Sequence, residues 1–154
     1  MVQRYKKTVA ENRKARFDYH ILETYEAGIS LKGNEVKSLR IGRVNLRDSF
    51  ARIENGQAFL YGMHISPCDF ARKEGIDPLR VRKLLLNKSE IRKLAGKISQ
   101  KGFVLVPLKV YFFGNYAKVE LGVGKGKKLY DKKESIKKKD SDRDMERELV
   151  DRQR

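Results

Sequence analysis

Phe103-Val-Leu-Val-Pro-Leu-Lys-Val-Tyr-Phe-Phe113, then Gly114-Asn115, then Tyr116-Ala-Lys-Val-Glu-Leu-Gly-Val123: two long runs rich in β-branched and aromatic residues meet at a Gly-Asn pair and read as paired strands. In the second run Ala117, Val119, Leu121 and Val123 take one face, and Tyr116, Lys118 and Glu120 the other. That period of two is the signature of a half-buried strand. Pro107 cannot donate to a ladder, so the first run is expected at a sheet edge or bulged at that point. Alternation also sends about half of Tyr111, Phe112, Phe113 and Tyr116 into a core, leaving the others able to stack on bases.

The upstream chain has the same character. Ser49–Glu54 and Gln57–Tyr61 flank Asn55-Gly56, the strongest short-range hairpin signal. Phe17, Tyr19, Ile21 and Tyr25 alternate with polar positions, and Ile29 and Leu31 continue the strand past a bend at Gly28. Gly33-Asn-Glu-Val-Lys-Ser-Leu-Arg40 reads as a short helix capped by Asn34 and stopped by Gly42. Its Glu35 suits the positive helix end, Val36 and Leu39 face a core, and Lys37 and Arg40 share an exposed side. Asp77-Pro78 is expected to open a helix with an apolar stripe of Val81, Leu84 and Leu85, ringed by Arg80, Arg82, Lys83 and Lys88. Ile91, Leu94, Ala95 and Ile98 extend that periodicity, and Gly102 ends it.

These elements make a mainly β fold: a small antiparallel, OB-fold-like β-barrel with flanking short α-helices and a basic C-terminal tail. Pattern alone leaves other barrels open. Residues 1–16 are expected to form a basic N-terminal arm with a helical turn near Ala10–Ala15, and residues 17–123 the barrel. Residues 124–154 form the basic tail: they carry twelve Lys and Arg against eight Asp and Glu, too few apolar groups to fold alone.

The net charge is +16 over 154 residues, and it points to a polyanionic partner. No stretch pairs a basic face with a Trp- or Leu-rich one, which disfavours a membrane surface. A lone Cys68, a polar N-terminus and the lack of any long apolar run point to a reducing, cytoplasmic setting without a membrane anchor. His20 and His64 have no ligand at metal spacing, and Gly122–Gly126 has no Walker Lys-Ser/Thr pair. No enzyme and no cofactor are expected. Gly122–Lys128 can be a backbone-and-cation phosphate site or a hinge into the tail; spacing leaves both open.

Asn12 with Lys14-Ala-Arg16, Glu26-Ala-Gly28, Gly33–Arg40, Arg80–Leu86, Gly124–Lys128 and Asp131-Lys-Lys133 follow in one order across the chain. In this the chain closely resembles the small protein B family, bacterial partners of transfer-messenger RNA (SsrA RNA) in trans-translation. The resemblance implies an oligonucleotide-binding barrel that is not an enzyme. It implies binding to the tRNA-like domain of that RNA, with elongation factor Tu and GTP engaged indirectly through the charged RNA. It further implies delivery to stalled ribosomes, where the tail becomes helical in the empty messenger channel of the small subunit. RNA contact would then fall to Asn12, Arg16, Glu26, Lys37, Arg40, Arg82, Lys83 and Leu85. Decoding-region contact would fall to Gly126, Lys127, Lys128, Tyr130, Asp131, Lys132 and Lys133. The expected partners are this RNA and the ribosome, and the protein a monomer. Lys133 stands where many relatives carry Arg, and Tyr130 where some carry His. Met145 and Leu149, four apart, would form a narrow apolar stripe once the tail is helical. The alternative is a general RNA- or ribosome-binding barrel without selectivity for this RNA.

Overall fold

The computed structural model describes residues 6–67 and 77–127. Nine strands and three helices lie in the order β1 (Lys6–Glu11), α1 (Arg13–Asp18), β2 (Tyr19–Ile29), α2 (Gly33–Arg40), β3 (Val44–Asn45), β4 (Phe50–Glu54), β5 (Gln57–Tyr61), β6 (His64–Ile65), β7 (Arg82–Leu85), α3 (Lys88–Ile98), β8 (Phe103–Phe113) and β9 (Tyr116–Gly126) among the described residues. β4, β5, β7, β2, β9 and β8 pair antiparallel in that sequence, and β8 returns to β4 through Ala51 and Leu105, closing a small barrel. β1 adds to the same edge of β8, along Lys109–Phe113.

The two hairpins form where expected. Asn55 and Gly56 both adopt positive φ (50° and 73°), the conformation a two-residue turn requires, and Ala117, Val119, Leu121 and Val123 turn toward the core. The ladder shifts after Pro107, so the strand is bulged there, but it is no edge: β9 lies on one side and β1 and β4 on the other.

Two bulges organise the barrel wall. In β8 the shift between Pro107 and Lys109 puts Val106 and Leu108 outside but Val110 and Phe112 inside. In β2 the shift between Ile21 and Glu23 likewise leaves Tyr19 and Ile21 outside and turns Ala27 and Ile29 inward. The outward set at that end is covered by Ala15 of α1, forming a second apolar cluster. Gly122 of β9 lies beneath it, and a Cβ there would stand 2.9 Å from Leu108 Cδ1. Beyond the bulges the outer face is uncovered.

Three expectations are corrected. Residues 6–16 are no free arm: β1 pairs with β8, and Asn12 and Ala15 are buried, because the cations of Lys6, Lys7, Arg13 and Arg16 point outward from a segment whose other side is needed by the sheet. Val81–Leu85 is not helical. Asp77 accepts from the Leu79 and Arg80 amides in a turn, and β7 then alternates Arg82 and Leu84 inward with Lys83 and Leu85 outward. Both β5 and β2 need a partner strand, and that demand outweighs a four-residue helical spacing. The cap of α2 falls on Lys32, whose amide donates to Glu35 Oε1 at 2.9 Å, and Asn34 lies inside the helix.

Candidate nucleic-acid interface

Register builds the uncovered face. Gly28 of β2 lies opposite Leu85 of β7 on one side and Lys118 of β9 on the other, and Lys118 lies opposite Tyr111 of β8. One step along the barrel, Glu26 faces Glu120, which faces Lys109. Gly28 is required for closeness here, since a Cβ would stand 3.2 Å from that of Leu85. The result is an apolar spot, Leu85 at 54% exposure, beside an exposed carboxylate, Glu26, in a field of cations.

The electrostatics hold Glu26 outward. Lys118 Nζ lies 3.8 Å from Glu26 Oε1, and Lys109 Nζ 3.3 Å from Glu120 Oε2. Tyr111 has its ring buried beneath the two acids. Burial, the hydrogen bond to Glu26 and the charges of Glu26 and Glu120 hold its phenol well above the ordinary range, so it remains a donor. Lys6 and Lys109 lie over the same ring, at 4.3 and 5.9 Å from its centre. A carboxylate so placed accepts N–H or 2′-OH donors that cations cannot satisfy, while the surrounding lysines meet phosphates.

Of the expected contact residues, Glu26, Lys83 and Leu85 share this face. Lys37 and Arg40 are exposed on α2, with the Arg40 guanidinium 5.4 Å from the centre of the Phe112 ring, near the β8–β9 turn. Arg16 is exposed on α1 at the other end of the barrel. Gly126 pairs there with Tyr19, and the Lys127 amide donates to Asp18 O at 2.9 Å, so the chain leaves β9 beside α1. Six residues of β9 separate this exit from Glu120, about 20 Å at strand rise. Lys128, Tyr130, Asp131, Lys132, Lys133, Met145, Leu149 and Cys68 lie outside the described residues.

Two expected contacts are corrected. Arg82 is fully buried: its Nε donates to Glu35 Oε2 at 2.6 Å and its Nη1 to Met63 O at 2.5 Å, while Arg80 donates to Glu35 Oε1 at 2.5 Å. Its alternation in β7 turns it inward, away from any RNA. Asn12 is likewise buried. Its Nδ2 donates to Pro107 O (3.0 Å) and Leu46 O (3.2 Å), and its Oδ1 accepts from Ala15 N (3.2 Å), capping α1. In this structure the Asn12 side chain makes its hydrogen bonds within the fold, where it positions α1 over the sheet. Lys118 and Lys109 border the face without having been expected there, and Tyr111, one of the aromatics expected either to stack or to be buried, is buried beside them. The outward alternation of β9 was the available signal for Lys118; the rest needed the cross-strand register. Among the described residues no cluster of His, Cys, Asp and Glu could hold a metal, and no helix is long and apolar enough to cross a membrane.

A family model described as "SmpB protein" matches residues 9–151. An SsrA-binding protein of Carboxydothermus hydrogenoformans is 63% identical over 93% of this chain and 96% of its own length. One of Geobacillus thermodenitrificans is 55% identical over 96% of both. A solved chain described under "tmRNA-SmpB: a journey to the center of the bacterial ribosome" is 55% identical, superposes with a TM-score of 0.68, and covers 82% of this chain and 93% of that one. The match spans both the barrel with its carboxylate-centred face and the polar segment beyond β9, and on that extent the chain belongs to the SmpB protein family.

Proposed function

We propose that the chain is an SsrA-binding protein: it binds the tRNA-like domain of transfer-messenger RNA and delivers it to stalled ribosomes for trans-translation. The observation that carries the reading is Glu26, an exposed carboxylate on the outer sheet face of a protein of net charge +16, next to Leu85 and ringed by Lys118 and Tyr111. A merely electrostatic RNA binder gains nothing from an acid there, whereas a selective one uses it to accept donors from bases or ribose. Family membership supports the same RNA. Lys83, Lys37, Arg40 and Arg16 add phosphate contacts around this centre. The segment that begins at Gly126-Lys127 and runs through Lys133 engages the decoding region, and the rest of the tail occupies the empty messenger channel. The protein acts in the cytoplasm as a monomer and not as an enzyme, and meets elongation factor Tu and GTP only through the charged RNA.

Competition binding tests this. The full chain should prefer transfer-messenger RNA over an unrelated tRNA at physiological salt, and Glu26→Ala should weaken that binding about tenfold, the loss of one good specific contact. Equal binding to both RNAs, unchanged in the variant, would leave only a general RNA-binding barrel.

A further inference from the structure

The outer face does not stop at Leu85. β7 pairs with β5 as well as with β2, so Lys83 lies opposite Phe59, and Phe59 lies opposite Arg52 of β4. Two residues along the same hairpin, Phe50 and Tyr61 face each other with ring centres 5.4 Å apart and planes inclined by 6°. The Arg52 guanidinium spans both, 5.1 Å from the centre of Phe50 and 5.5 Å from that of Tyr61. Phe50 and Arg52 are exposed. Tyr61 is held in place by its hydroxyl, which donates to Glu54 at 2.8 Å. No carboxylate of the described residues pairs with Arg52 or Lys83.

An exposed guanidinium set against two rings, with no carboxylate partner among the described residues, keeps N–H donors for a ligand. The rings supply a π-surface, and Lys83, two strand spacings or about 10 Å away, supplies a point charge. An acidic peptide would use the charges but leave the stacked rings idle. A nucleotide uses all of it: its base stacks, and its phosphate lies about a nucleotide's reach from the stack. The positive charge of the whole chain favours the same ligand.

We propose that the β4–β5 hairpin is a second RNA-contacting surface, where an unpaired base stacks on Arg52, Phe50 and Tyr61 while Lys83 holds the adjoining phosphate. The inference rests on the RNA-binding function proposed above and extends its sheet face across β7 to β4. On full-length protein with a transfer-messenger RNA transcript, Arg52→Gln should weaken binding about tenfold, the loss expected for one stacking contact. Arg52→Lys should restore only part of it, because an ammonium keeps the charge and loses the planar fork. Phe50→Leu should weaken binding similarly, with unchanged unfolding midpoints in all three variants. Zero-length ultraviolet crosslinking with peptide mass spectrometry should find a nucleotide adduct between Phe50 and Tyr61. Wild-type affinity in Arg52→Gln and Phe50→Leu, with no adduct in this hairpin, would overturn the proposal; if Glu26→Ala still weakened binding, the proposed function would stand. A wild-type protein indifferent between transfer-messenger RNA and tRNA would instead sink that function, and the hairpin adduct and the Arg52 effect on either RNA would still decide this surface. Weakened ribosome association with unchanged RNA affinity would assign the hairpin to a protein partner and overturn the proposal.

Discussion

Glu35 is 1% exposed, and it sits between two guanidinium groups, with Arg82 on β7 and Arg80 just before that strand. Burial alone would push its carboxyl up. Hydrogen bonds from Arg80, the Lys32 amide and Arg82, with the Arg82 charge, more than offset that and hold it below its ordinary value near 4.5. A carboxylate whose folded-state value is depressed contributes stability that is complete above the unfolded value and lost as pH falls through the folded one. The stabilisation should therefore be full at neutral pH and decline below about pH 4.5. Glu35→Gln leaves Arg82 charged and buried without its counter-ion and should cost about 3 kcal/mol at pH 7. Urea unfolding at pH 7 and pH 4 checks both points, since the variant should lack the part of the acid-side decline that Glu35 contributes. As a residue of α2, Glu35 is readable only as a favourable charge in a first turn. Its partners stand 45 and 47 positions away, and nothing local announces them.

Among the elements, α1 shows how a six-residue helix is kept in place by the sheet beneath it. Asn12 caps it and also bridges to Leu46 and Pro107, and the Asn12 amide donates to Leu108 O at 2.7 Å. Asn12→Ala removes the cap and orphans buried carbonyls, for a destabilisation of about 2–4 kcal/mol. Because the side chain is buried, RNA affinity of the folded variant should fall less than in Glu26→Ala. Urea melts beside RNA titrations check this, and an Asn12→Ala loss of affinity equal to that of Glu26→Ala would place Asn12 in the contact itself. The elements read correctly from sequence were those with a local signal: the Asn55-Gly56 turn, the alternation of β9 and the α3 stripe around Leu94. β7 was misread because four residues hold too little periodicity to oppose a Pro-led helix start, and its strand state follows from two flanking strands that need a partner.

At the scale of the molecule, the proposed function assigns recognition to the barrel and delivery to the tail. Truncation before Leu129 removes the polar segment beyond the described barrel, whose last described hydrogen bond is from the Lys127 amide to Asp18. The shortened protein should keep transfer-messenger RNA affinity within about threefold while peptide tagging on stalled ribosomes fails; tail cations add only non-specific attraction to RNA. A tagging assay run beside RNA binding reads the two separately, and joint loss would refute the division. The +16 charge, the β class, both hairpins and the ordered family blocks were legible along the chain, since each depends on composition or on neighbours within a few residues. The binding face was not. Glu26, Leu85, Lys118 and Tyr111 converge only through cross-strand register, while the alternation of β7 turns Arg82 inward and hydrogen bonds to Leu46, Pro107 and Ala15 hold Asn12. Which side of a strand meets solvent changes with every inserted residue: Pro107 marked the β8 bulge in the sequence, whereas the β2 bulge between Ile21 and Glu23 and the register between strands far apart in the chain were settled only by tertiary pairing, and these decided which outward residues share a face.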